Sequence, residues 1–182
     1  NLAVMVNPEL DYVKVDVEGE TWIVASLLAN VFISGVCDKK FKVKETFKGK
    51  KLKGTEYEHP FEKDIEIYKE LKKKSPKIHS VILSKEYVDV SAGSGLVHCA
   101  PGCGPEDYEV GRKEKILPFN NLDEKGLFPK EMGKFANLKA RVDDKEFIKA
   151  LEKKGSIIAT TKVEHDYAHC WRCKNPVIFR TT

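Results

Sequence analysis

Between Asp11 and Val17 the sequence reads DYVKVDV, with apolar and polar residues alternating at a period of two. That period lines Val13, Val15 and Val17 along one face of an extended strand and fits no helical stripe. Glu18-Gly19 supplies a turn, and GETWIV answers as the hairpin partner. Upstream, the apolar run LAVMV ends at the turn Asn7-Pro8-Glu9. A chain that spends its first 24 residues on paired strands is committed to a sheet, and its helices must be fitted around one.

The remaining elements follow from punctuation and period. SLLANVFI, from Ser26 to Ile33, reads as a short buried helix stopped at Gly35. KKFKVKETFKGKKLKG alternates Phe41, Val43 and Phe47 with lysines, predicting a two-sided strand with a turn at Gly49; its lysines make either a solvated face or a strip for a phosphate backbone. A helix is predicted over 61–74 through Ile65, Tyr68 and Leu71, followed by strands HSVILS and EYVDV. PEDYEVGRKEK is read as a helix with Pro105 in its first turn, where the missing N–H is harmless. FNNLDEKGLF is a turn-rich loop, and DKEFIKALEKKG a helix capped by Asp143 with Glu146 three residues on and Gly155 after the last turn. SIIATTKVEH is predicted as a strand that includes Thr160 and Thr161, and HCWRCKNPVIFR as a knuckle leading into another. Strands and helices intermix without regular βαβ alternation, so the expected class is α+β, with mainly antiparallel, barrel-like β structure and several surrounding helices.

Composition narrows the function classes. At 182 residues and 41% hydrophobic, the chain is long enough to bury a core. Its 32 basic and 28 acidic residues leave a net charge of +4, compatible with touching a phosphate backbone but short of a dedicated DNA-binding domain. No apolar run reaches membrane-spanning length. The five cysteines, an odd number, argue against a disulfide framework and for a reducing, cytoplasmic setting. The start at Asn1, without methionine and already strand-like, is expected of a piece of a longer protein.

Chemistry concentrates in GSGLVHCAPGCGPEDYEVG, from Gly93 to Gly111. Gly93-Ser94-Gly95 sits at a strand mouth, where missing side chains let backbone groups touch a ligand. LVHCA alternates, so Val97 and Cys99 face one way while Leu96, His98 and Ala100 face the other. Glu106 and Asp107 fall in the first turn of the next helix, where the dipole favours a carboxylate. Acids there, with no GKS or GKT, exclude a phosphate loop. Cys99 and Cys103 stand four apart with no second pair to complete a metal site. The residues themselves describe a small-molecule cleft with an acid suited to an ammonium group, while helix capping or dipole complementarity is the default account of Asp107.

The same residues resemble the GTGxVHxAPGxGxxDY segment of isoleucyl-tRNA synthetases, which lies in their editing domain, a large insertion in the class I catalytic core. NLAVMVNPELDYV resembles the opening of that insertion and HCWRCKNPVIFR its close, so the resemblance spans the chain. The valyl and leucyl enzymes share the architecture; Val97-His98 and HCWRC favour the isoleucyl branch. The resemblance implies hydrolysis of the ester in tRNA(Ile) mischarged with valine, and of valyl-adenylate, with no cofactor for the reaction. It implies that Asp107 holds the α-ammonium and that His98 lines the side-chain pocket, with Gly93, Ser94, Gly95, Ala100 and Pro101 around the substrate. The implied partners are the tRNA acceptor end and the rest of the synthetase chain, with neither membrane nor DNA. Ser94 stands where threonine is usual, Cys103 where histidine or an apolar residue is, and the family's threonine-rich strand lies upstream of Asn1. A valyl or leucyl editing domain, or a non-catalytic tRNA-binding module using the lysine strip, are the alternatives.

Cys170-Trp171-Arg172-Cys173 is a CxxC that suits half of a zinc ribbon. The resemblance implies that its partner pair lies outside this chain, so zinc belongs to the full-length enzyme; His165 and His169 are the nearest other candidates. The expected organisation is an editing domain over residues 1–164 and a knuckle with a strand over 165–182.

Overall fold

A computed structural model describes residues 1–162 and 166–179. The chain divides into two compact units, one of residues 1–57 with 77–100 and one of residues 58–76 with 101–179 among those described.

The first unit holds the strands. They are β1 (Ala3–Val6), β2 (Asp11–Val17), β3 (Glu20–Ala25), β4 (Phe41–Lys48), β5 (Ser80–Leu83) and β6 (Val97–Cys99). Among the described residues they form two three-stranded sheets, ordered β5-β1-β6 and β3-β2-β4. The second is antiparallel throughout, whereas in the first β1 pairs antiparallel with β6 and parallel with β5. The predicted hairpin is present: Val17 pairs with Glu20 across Glu18 and Gly19, both at positive φ, and Asp16 Oδ1 accepts the Gly19 N–H. A register shift between Lys14 and Val15 breaks the β2–β4 ladder.

The period-two pattern of β2 serves two cores. Val13, Val15 and Val17 are buried with Val24, Ala29 and Ile33 on one face. On the other, Tyr12 is buried with Val6, Ala25, Leu28, Leu52 and Val81, so residues of both sheets share one core. Each fully buried aliphatic side chain contributes about 1.5–3 kcal/mol.

Ser26–Leu28 forms a turn of 3₁₀ helix and Asn30–Val36 a π-helix, which runs through Gly35 rather than stopping there. The segment is buried on one side only: Leu28, Ala29 and Ile33 face the cores, while Leu27 and Val31 face solvent. The predicted strand EYVDV is absent. Asn7 Nδ2 donates to the carbonyls of Lys85 and Val88, Ser84 Oγ accepts the Tyr87 N–H, and Asp89 Oδ1 accepts the Ser91 N–H. Side chain–backbone bonds of this kind compete with a ladder and hold the segment as bends.

The second unit carries α1 (Ile67–Lys74), α2 (Pro105–Glu114) and α3 (Asp144–Lys153). The first helix is shorter than predicted, with turns over 60–64 in place of its opening, yet Phe61, Ile65, Tyr68 and Leu71 are buried as the pattern requires. Aromatic rings join its parts: Phe61 meets Phe135 edge-on at 4.8 Å, Phe135 stacks on Phe147 at 4.5 Å, and Phe147 meets Phe128 at 5.3 Å. The capping box predicted for α3 does not form. Asp143 makes no side-chain cap bond, because its Oδ2 accepts the Lys139 N–H at 2.7 Å instead. Residues 156–162, Thr160 and Thr161 included, are largely exposed and form no strand; 163–165 lie outside the described residues. The C-terminal segment shows an isolated bridge between His169 and Pro176 in place of the predicted strand.

Candidate functional site

The glycine-rich segment crosses from one unit to the other at Ala100–Pro101. Gly93, Ser94, Gly95, His98 and Ala100 belong to the first unit, Pro101 and Asp107 to the second.

In the first unit, three bonds fix the loop. The Ser94 carbonyl accepts the Ala25 N–H at 2.8 Å, Ser94 Oγ accepts the Leu96 N–H at 3.3 Å, and the Tyr12 hydroxyl donates to the Gly95 carbonyl at 2.7 Å. Gly95 is buried at φ +77°, and a Cβ there would lie 2.3 Å from that of Ala25. Gly93, at φ +75°, is exposed with open space where a Cβ would be. The loop therefore presents an open rim at Gly93 and a pinned floor at Gly95. His98 follows on β6, an edge strand, opposite Val4. The alternation read from LVHCA holds only in part: Cys99 is fully buried and His98 exposed, whereas Leu96, Val97 and Ala100 are all half-buried and Leu96 packs against the core around Tyr12.

In the second unit, Pro101 and Gly102 are buried. Asn120 Nδ2 donates to the Gly102 carbonyl at 3.1 Å and to the Phe179 carbonyl at 2.8 Å. Gly104 is extended at the N-terminus of α2, Pro105 takes its first position, and the Tyr108 N–H bonds to the Gly104 carbonyl. Glu106 and Asp107 both lie in the first turn, and Asp107 is half-buried while Glu106 is exposed. The N-cap residue, Gly104, has no side chain with which to cap this helix end. A half-buried carboxylate in the first turn of a helix is a natural partner for a cation.

At the C-terminal end, the N–H groups of Cys173 and Arg172 bond to the Cys170 sulfur and, with the Cys173 side chain, hold its thiol below its ordinary pKa. The Lys174 N–H closes the turn on the Cys170 carbonyl. Amides aimed at a sulfur favour the thiolate that a metal requires. The pair offers two ligands where tetrahedral zinc takes four, and among the described residues no cluster of three or more His, Cys, Asp or Glu could hold a metal. Zinc thus fits here as half a site; His165 lies outside the described residues.

Sequence reasoning passed over Tyr12 and Asn7. The alternation puts Tyr12 on the face of Lys14 and Asp16, so its only signal was an aromatic among polar residues; once buried, its phenol needs a partner for its hydroxyl.

No protein-family model matches the chain. Among curated proteins it is 42% identical over 184 residues to the isoleucine–tRNA ligase of Aquifex pyrophilus, 41% over 186 residues to that of Pyrococcus abyssi and 38% over 182 residues to that of Petrotoga mobilis. Each alignment covers all of this chain but 35%, 17% and 18% of the respective relative. The fold is that of the crystal structure of GlLeuRS-CP1, with a TM-score of 0.61 at 14% identity, covering 90% of this chain and 79% of that one. From end to end, then, this chain matches one segment of isoleucine–tRNA ligases, and the resemblance carried by its motifs holds along its whole length.

Proposed function

We propose that this chain is the hydrolytic editing domain of an isoleucine–tRNA ligase, cleaving valine from mischarged tRNA(Ile) and acting on valyl-adenylate as well. The observation that carries the reading is the whole-chain match to isoleucine–tRNA ligases on a CP1 fold. A methylene is worth only about 1–3 kcal/mol in an apolar pocket, a figure for which isoleucine against valine is itself the standard example. A ligase that relies on binding alone therefore admits valine, and a second, smaller hydrolytic pocket restores fidelity.

Each residue is assigned a role that its chemistry suits. The Asp107 carboxylate pairs with the α-ammonium that every aminoacyl ester carries. His98 walls the side-chain pocket against isoleucine, and the Gly93–Gly95 backbone, Ala100 and Pro101 lie along the amino acid and terminal adenosine. An activated ester asks for little more than an oriented water and stabilisation of the developing oxyanion. Cys170 and Cys173 would supply half of a zinc ribbon, the other pair coming from the rest of the ligase; the metal would tie that arm together and take no part in hydrolysis. The remaining partner is the tRNA acceptor end, in the cytoplasm. Among the described residues no helix is long and apolar enough to cross a membrane.

The test compares hydrolysis of valyl-tRNA(Ile) with that of threonyl-tRNA(Val) by the ligase carrying this segment. Preference for the valyl ester is expected, and preference for the threonyl ester would sink the isoleucyl assignment. Asp107→Ala should lower kcat/KM by about 30-fold or more, since truncating one partner of a desolvated charge pair costs about 2–5 kcal/mol. Unchanged deacylation would remove Asp107 from the site.

A further inference from the structure

We infer that Tyr12, through its buried hydroxyl, is a positioning residue for the glycine-rich loop. The inference rests on the reading of that loop as the floor of the aminoacyl pocket. Tyr12 is fully buried, and its hydroxyl makes two bonds that span the first unit. It accepts the N–H of Asn7 at 3.0 Å and donates to the carbonyl of Gly95, 83 residues away, at 2.7 Å. Asn7 is itself held: its Nδ2 donates to the Val88 carbonyl at 2.9 Å, and its Oδ1 accepts the Glu9 N–H at 3.0 Å. The turn after β1, the segment before the loop and the loop itself are thereby tied through one phenol.

The geometry sets the direction of this hydroxyl. A backbone N–H can only donate and a carbonyl can only accept, so the phenol proton must point at Gly95. Burial raises the Tyr12 pKa, against a smaller opposite effect of the Asn7 amide, so the proton stays in place. The Gly95 carbonyl is thus turned inward, and the Gly93 end of the loop faces outward. The Ala25 N–H on the Ser94 carbonyl is the second pin on the same loop. Removing the phenol oxygen frees Gly95 to rotate about a backbone that, as glycine, resists little. An ester lying on that floor loses its alignment with the attacking water, which lowers the rate of the chemical step more than binding.

Tyr12→Phe in the complete ligase tests this, with Ile33→Val as a control that loosens the core away from the loop. Two readouts apply: amide hydrogen exchange at Ala25 relative to the β1–β5 ladder, and kcat and KM for aminoacyl-ester hydrolysis. In Tyr12→Phe the relative exchange at Ala25 is expected to rise about tenfold or more. The kcat should fall by a similar factor with KM within about twofold, while Ile33→Val changes neither ratio. An active wild type with Tyr12→Phe indistinguishable from Ile33→Val overturns the inference and leaves the proposed function standing. A wild type inert toward every aminoacyl ester overturns the proposed function, and with it any catalytic consequence of Tyr12.

Discussion

At Gly95 a positive φ coincides with an approach to Ala25 too close for any side chain. An L-residue in the left-handed region costs about 1–2 kcal/mol, and forcing a methyl into a packed contact about 1–3 kcal/mol. Gly95→Ala should therefore destabilise the chain by about 2–5 kcal/mol in urea titration. Adding Ala25→Gly should recover the contact part and leave the backbone part; full recovery would mean that φ carries no strain. The glycines of this loop were legible in the sequence as a place where backbone is brought close to something. Which contact each one serves was not, because the partner of Gly95 lies 70 residues away on β3. Tyr12 shows the same limit: the alternation puts it with Lys14 and Asp16, opposite the valines, so both its burial and its acceptor in the loop depend on tertiary structure.

At the scale of elements, periodicity and turn chemistry carried furthest where the signal was local. The β2–β3 hairpin, the strand through His98, and α2 beginning at Pro105 all stand where the pattern put them. The failures are segments whose backbone groups found other partners: EYVDV, taken over by Asn7, Ser84 and Asp89, and Asp143, whose carboxylate turned back to Lys139. Within α2, Gly111 makes a prediction that helix propensity gets wrong in sign. In a free helix glycine to alanine gains about 0.8–1.0 kcal/mol. Here the added Cβ would meet Pro101 Cγ at 2.4 Å and Pro101 Cβ at 2.7 Å, both on a buried and rigid ring. Overpacking at about 1–3 kcal/mol outweighs the gain, so Gly111→Ala should destabilise by roughly 1 kcal/mol in chemical denaturation. In a Pro101→Gly background, which removes both contacting atoms, the same change should turn stabilising; if it stays unfavourable, the contact with residue 101 is not the cause.

At the scale of the whole molecule, the chain crosses between its two units at residues 57–58, 76–77 and 100–101, so neither is a continuous stretch of sequence. The second unit gathers distant segments, and Asp64 is one of its links. Its Oδ1 lies 3.1 Å from Lys134 Nζ, and its Oδ2 2.8 Å from Lys154 Nζ, just past the end of α3. Lys134 also lies over the rings of Phe61 and Phe135, at 5.4 and 5.2 Å. The ion pair with Lys154 and the hydrogen bond from Lys134 hold the Asp64 carboxyl below its ordinary value. The sign follows from linkage: with the folded pKa depressed, the unfolded chain binds the proton more readily, so the contribution of Asp64 is present above the unfolded value of about 3.9. It is lost as pH falls through the lower, folded value. Asp64→Asn, which cannot ionise, should therefore be less stable than wild type at neutral pH and should lose less of its stability on acidification below pH 4. The measurement is the thermal midpoint of both proteins between pH 7 and pH 2, where the two curves should converge at the acid end. Parallel curves over that whole range would show that the pairs with Lys134 and Lys154 contribute nothing to holding α3 and the Lys130–Phe135 segment to the turns before α1.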